Sequence, residues 1–237
     1  MIGIVLVSHS PKLAAAALEL AREMVPGDEP RVAVAAGTGD GLTGTDATRV
    51  AAAIAEVASP DGVLVLMDLG SAVLSAELAL EFAGDVGGEV RLSSAPVVEG
   101  LLAAVVRAAG GASLDEADRE ARGALAAKEA QLGSAPDAPV AAPASGAAAA
   151  AERRFTITNA EGLHARPASM IVTALGGFDA KVTVTTGDKK PVDGRSPIGL
   201  MALGVRTGDE IVVSASGPQA ADALDAIATL VADAFGE

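Results

Sequence analysis

Two spacings of apolar residues divide the chain. From Met1 to about Leu132, short apolar runs rich in β-branched residues alternate with longer helical stretches. Ile2 to Val7 reads as a strand buried on both faces, and Pro11 opens a helix that runs to about Val25. Arg31 to Ala35 is a second strand, followed by the mobile loop Gly37 to Gly44. Thr45 or Asp46 caps a helix that extends to about Ala58. Gly62 to Met67 is the third buried strand, and Asp68-Leu69-Gly70-Ser71 leads into a helix over about Ala72 to Phe82. Glu89 to Leu92 is a fourth strand, followed by helices near Val97 to Ala109 and Leu114 to Leu132. This alternation predicts an α/β doubly wound parallel sheet with helices on both faces. Such a sheet gathers functional residues in the loops that leave the carboxyl ends of its strands. Here those loops hold His9, the Gly37 to Gly44 stretch and Asp68 to Ser71.

The rhythm then breaks. Gly133 to Ala151 is Ala, Pro, Ser and Gly with almost no charge, and Pro136, Pro139 and Pro143 interrupt any long helix. It reads as a semi-flexible linker between a domain at 1–132 and a second at 152–237. In the second, Arg154 to Thr158, Asp179 to Thr186, Lys189 to Asp193 and Glu210 to Ser216 read as strands. Ala165 to Leu175, a short segment capped by Ser196 and ending near Leu203, and Gln219 to Ala234 read as helices. Hairpin strands with helices gathered on one face make an α+β open-faced sandwich.

Composition narrows the field. The chain has 237 residues, a net charge of −14 and no Trp, Tyr or Cys. Aromatic platforms for nucleic acid are missing, and the negative charge argues against DNA or an anionic membrane surface as partner. Disulfides are excluded, which fits a reducing compartment. The apolar start Met1 to Val7 lacks a basic flank and no run reaches a bilayer's span, so the expectation is a cytoplasmic protein.

Chemistry concentrates at the only two histidines. In Gly162-Leu163-His164-Ala165-Arg166-Pro167-Ala168-Ser169, Pro167 suits the first turn of a helix, so the helix begins close to His164. Its first-turn N–H groups, including that of Ala165, make an anion site beside the imidazole, and Arg166 adds a fork of donors suited to phosphate. Such an imidazole can accept a phosphoryl group without a metal. The motif and the apolar helix after it resemble the active site of HPr, the histidine phosphocarrier of the bacterial phosphotransferase system, over about Glu152 to Glu237. The HPr fold that this implies agrees with the sandwich read from the pattern.

His9 follows the first buried strand. Ile4-Val5-Leu6-Val7-Ser8-His9-Ser10 resembles the start of the mannose-type enzyme IIA domain, and more closely the phosphotransfer subunits of phosphoenolpyruvate-dependent dihydroxyacetone kinase. Gly44-Thr45-Asp46, Met67 to Ala72 and Ala95 to Gly100 support it. The resemblance implies that phosphoenolpyruvate, through enzyme I, phosphorylates His164, and that His164 passes the group to His9. From there it goes to ADP on the nucleotide-binding kinase subunit, with no cofactor bound to this chain itself. A homodimer through the first domain is also implied. The family often adds a segment resembling the start of enzyme I, and the expectation here is an enzyme I acting from elsewhere.

Several of the supporting residues have two readings. Asp68 either orients the His9 ring, if the first and third strands adjoin, or caps the next helix. His9 itself has the plainer reading of a loop histidine that caps the next helix through its neighbours Ser8 and Ser10. Ser71 and Thr45 are candidates for phosphate contact, whereas Gly37 to Gly44 lacks the ending of a Walker loop and reads as a rim. Ser196 matches the position of a regulatory serine in some HPr proteins, but Pro197 after it suits a helix cap. Two alternatives to the kinase role stand beside it: a mannose-type sugar importer component donating to a IIB protein, and a phosphorylation-dependent regulatory binding protein.

Overall fold

Six consecutive buried residues, Gly3–Ser8, form β1, and this strand sets the plan of the first half of the chain. A computed structural model describes residues 1–25, 28–39, 41–132 and 151–236. These divide into two units, Met1–Leu125 and Ala126–Glu237.

In the first unit β1 is followed by α1 (Pro11–Glu23), β2 (Val32–Ala36), α2 (Ala47–Glu56), β3 (Val63–Met67), α3 (Gly70–Ala83), β4 (Val90–Ser93), α4 (Val97–Ala109) and α5 (Leu114–Arg122). The strands are parallel, in the order β2-β1-β3-β4. Side chains alternate across the sheet. Val5, Val7, Ala33, Ala35, Val63, Val65 and Met67 pack with Val50 and Ile54 of α2 and with Ala72, Ala76 and Ala79 of α3. The intervening Ile4, Leu6, Leu64 and Leu66 are equally buried and serve the other face, where α1, α4 and α5 pack. The small alanines let α3 lie close to the sheet, which fixes where its first turn stands.

One register decides the site. β1 and β3 are neighbours, with Val7 opposite Met67. The residues just beyond, Ser8 and His9 on one strand and Asp68 on the other, therefore leave the sheet at the same edge. Asp46, rather than Thr45, caps α2, accepting from Thr48 N–H at 2.8 Å.

The second unit contains α6 (Ala126–Gln131), β5 (Ala151–Thr156), α7 (Ala165–Leu175), β6 (Lys181–Thr185), β7 (Val192–Asp193), α8 (Pro197–Ala202), β8 (Glu210–Ser216) and α9 (Ala220–Ala232). Its sheet is antiparallel, in the order β5-β8-β6-β7. β6 and β8 alternate buried and half-exposed residues, as a sheet covered on one face requires.

Several expected boundaries move. The helix expected over Leu114 to Leu132 breaks after Arg122. Gly123 costs about 1 kcal/mol in a helix relative to Ala, and its N–H bonds back to Ala121 and Arg119 as the chain turns. α6 groups with the second unit, through packing on α8, and not with a domain ending at 132. Ala151 is not linker but the first residue of β5, paired with Ala215; the rest of the expected linker lies outside the described residues. The returning strand shrinks to Val192–Asp193, since Lys189 N–H bonds to Thr186 in a turn and Pro191 has no N–H to offer a ladder.

Candidate functional site

His9 occupies the single position between β1 and the cap of α1. Ser10 is that cap, its Oγ accepting from Leu13 N–H at 3.3 Å, with Pro11 in the first turn. Both ends of the imidazole are held: Nδ1 lies 2.8 Å from Asp68 Oδ1 and Nε2 lies 2.8 Å from Ser71 Oγ. The ring is 20% exposed and the Asp68 side chain 7%.

The Asp68 carboxylate is surrounded by donors. Oδ1 receives the His9 ring and Leu69 N–H at 2.8 Å; Oδ2 receives His9 N–H at 2.8 Å and Ser8 Oγ–H at 2.9 Å. Burial works against the charge. Hydrogen bonds from the His9 ring, the His9 N–H and the Ser8 hydroxyl outweigh it and hold the carboxyl below the usual range. An ionised carboxylate only accepts, so the ring proton belongs on Nδ1 and Nε2 presents a lone pair to the Ser71 hydroxyl.

Ser71 lies in the first turn of α3, whose cap residue Leu69 makes no side-chain capping bond. Asp68 is thus one residue before the cap and is not the cap itself. A group attached to Nε2 would face the first-turn N–H groups and the positive end of the helix dipole. The Gly37 to Gly44 stretch borders this site: Gly37 N–H donates to Ser8 C=O at 3.1 Å and Gly44 N–H to His9 C=O at 3.0 Å. Asp40 within it lies outside the described residues. The Thr45 hydroxyl is engaged with Ser75 Oγ at 2.7 Å, and Ser75 lies one turn beyond Ser71.

His164 is the N-cap of α7, half-exposed, and makes no side-chain capping bond. Ala165, Arg166 and Pro167 form the first turn; Arg166 is exposed, and Pro167 takes a place where an N–H has no intrahelical partner. The turn before it is tightly set. Gly162 has φ +73°, and a Cβ there would lie 2.1 Å from Val205 O. Leu163 N–H bonds to Val205 C=O at 3.0 Å, and Asn159 Nδ2 to Gly162 C=O at 2.8 Å.

Ser196 caps α8, its Oγ accepting from Gly199 N–H at 2.8 Å. Arg195 donates to the carbonyls of Leu175 and Phe178 at 2.9 and 2.6 Å, closing the end of α7. Among the described residues no cluster of His, Cys, Asp and Glu could hold a metal, and no helix is long and apolar enough to cross a membrane. The sequence places Ser8 beside His9 and the helix cap but does not show its bond to Asp68. The available signal was a polar residue ending an otherwise apolar buried strand.

A family model described as PTS system fructose IIA component matches residues 3–118, and one described as PTS HPr component phosphorylation site matches residues 151–233. The PEP-dependent dihydroxyacetone kinase, phosphoryl donor subunit DhaM, of Pantoea ananatis is 47% identical over 243 residues, covering 100% of this chain and 51% of that protein. The corresponding subunit of dihydroxyacetone kinase 2 of Listeria innocua is 42% identical over 108 residues, 45% of this chain and 86% of the relative. The phosphocarrier protein HPr of Streptomyces coelicolor is 41% identical over 87 residues, 37% of this chain and 94% of that protein. The chain spans about half the length of the full-length curated relatives it matches.

Proposed function

The chain belongs to the family of phosphoryl donor subunits of PEP-dependent dihydroxyacetone kinase, and from that membership we propose that it relays a phosphoryl group from enzyme I through His164 to His9. The group then passes to ADP held by the nucleotide-binding kinase subunit. In reaction terms the chain is the phosphohistidine carrier of a phosphoenolpyruvate–glycerone phosphotransferase. The observation that carries the reading is the His9 imidazole held at both nitrogens, Nδ1 on Asp68 and Nε2 facing Ser71.

In the transfer step the Nε2 lone pair attacks phosphorus on phosphorylated His164. The phosphorus–nitrogen bond to His164 breaks, its electron pair returning to that ring, while the bond to Nε2 forms. The His9 ring becomes formally cationic, and the Asp68 carboxylate on its Nδ1–H offsets that charge. Ser71 must release Nε2 for the attack, and its hydroxyl then serves a phosphoryl oxygen. At His164 the first-turn N–H groups, with that of Ala165, and the exposed Arg166 neutralise the departing phosphoryl oxygens. Transfer between two phosphoramidates is nearly balanced, so the work is alignment and charge neutralisation.

The test uses the full chain with enzyme I and radiolabelled phosphoenolpyruvate. Acid-labile label is expected on both histidines, and the ADP-loaded kinase subunit should discharge it as ATP. In His164→Ala the label at His9 should vanish; labelling of His9 there at the wild-type rate would remove His164 from the route.

A further inference from the structure

Ser8 is the one polar side chain of β1. It is 1% exposed, and a hydroxyl buried to that degree is costly unless bonded. Its Oγ accepts from Ser10 N–H at 3.1 Å. Its single proton has two acceptors in reach, Asp68 Oδ2 at 2.9 Å and Ser10 C=O at 3.2 Å. The carboxylate is both nearer and charged, so it takes the proton.

We infer that Ser8 is a positioning residue for His9: its hydroxyl anchors Oδ2 of Asp68, so that Oδ1 stays aimed at Nδ1 and the Nε2 lone pair stays outward. The inference rests on the reading that His9 carries the phosphoryl group.

The carboxylate lies across the sheet edge from the imidazole, and its own backbone gives it one donor only, Leu69 N–H on Oδ1. On Oδ2 the remaining donors both come from the end of β1, Ser8 and the His9 N–H. Ser8 therefore locks the strand that carries the imidazole to the carboxylate that orients it. Removing the hydroxyl leaves a lone pair of a nearly buried carboxylate unmet, which raises its proton affinity and frees it to turn. The freedom to turn is what weakens the preference for the proton on Nδ1, because Oδ1 no longer stays aimed at it. A residue that merely closed the Ser8–Ser10 turn would leave that preference untouched.

The experiment compares the full wild-type chain with Ser8→Ala, Ser8→Cys and Ser8→Thr. Nitrogen-15 NMR in alkaline buffer reads the His9 tautomer, with His164→Ala identifying which imidazole is which. Wild type and Ser8→Thr are expected to hold the proton on Nδ1. Ser8→Ala should show a several-fold rise in the Nε2–H form, and Ser8→Cys, close in size but a weaker donor, a smaller one. Phosphorylation of His9 in Ser8→Ala should slow about tenfold, the loss expected for one buried bond to a charged group, with the KM for the donor unchanged. A folded Ser8→Ala or Ser8→Cys chain with the wild-type tautomer overturns the inference. A shifted tautomer in a chain whose His9 takes phosphate from no donor leaves Ser8 as the anchor and overturns the relay.

Discussion

The geometry around His9 turns on one carboxylate. Asp68 accepts four hydrogen bonds, two of them from His9. Replacement by Asn leaves the shape but puts donors where only acceptors serve, so Asp68→Asn should slow labelling of His9 about 10²-fold, the scale of a misplaced reacting group. Folding lowers the Asp68 pKa from its ordinary 3.8, which means the unfolded chain binds that proton more readily. The stabilisation is complete above the ordinary value and is lost as pH falls through the lowered folded-state value. A carbon-13 titration of the Asp68 carboxyl is expected to give a midpoint below 3.8 in wild type. A midpoint at or above the ordinary value would contradict the hydrogen-bond account.

At the scale of elements, each histidine is paired with the start of a helix, and the elements reach that arrangement differently. α3 brings its first turn to a histidine from another strand; α7 carries His164 as its own cap. The second arrangement depends on Gly162, where positive φ and the Val205 carbonyl both exclude a side chain. Gly162→Ala should cost about 1–3 kcal/mol in strain alone, and more from the clash; urea unfolding of the full chain, followed by a probe in the second unit, measures it. Unchanged stability would mean that this turn relaxes freely. The ends of α7 and β8 match the sequence pattern residue for residue, because a cap motif and a strict alternation mark them. The breaks at Gly123 and before Val192 were less legible: alanine-rich flanks favour helix on both sides of Gly123, and the turn at Lys189 is made by bonds the pattern does not show.

Across the whole molecule the two units pack separate cores, one around a parallel sheet and one around an antiparallel sheet. Each is large enough to fold on its own apolar interior. Calorimetry of the full chain is expected to show two unfolding transitions, with Gly162→Ala lowering one and leaving the other in place; a single transition that moves as a whole would tie the cores together. The sequence by itself determined both fold classes, the two histidines, and the helix that starts at His164, since all of these follow from periodicity and from residues within a few positions of one another. Only the tertiary structure decided that Asp68 meets the His9 ring and does not cap, that Ser71 meets Nε2, that Thr45 bonds to Ser75, and that Ser8 bonds to Asp68. The reason is distance along the chain. Asp68 and His9 are 59 residues apart, and nothing local brings them together until β1 and β3 pair in one register.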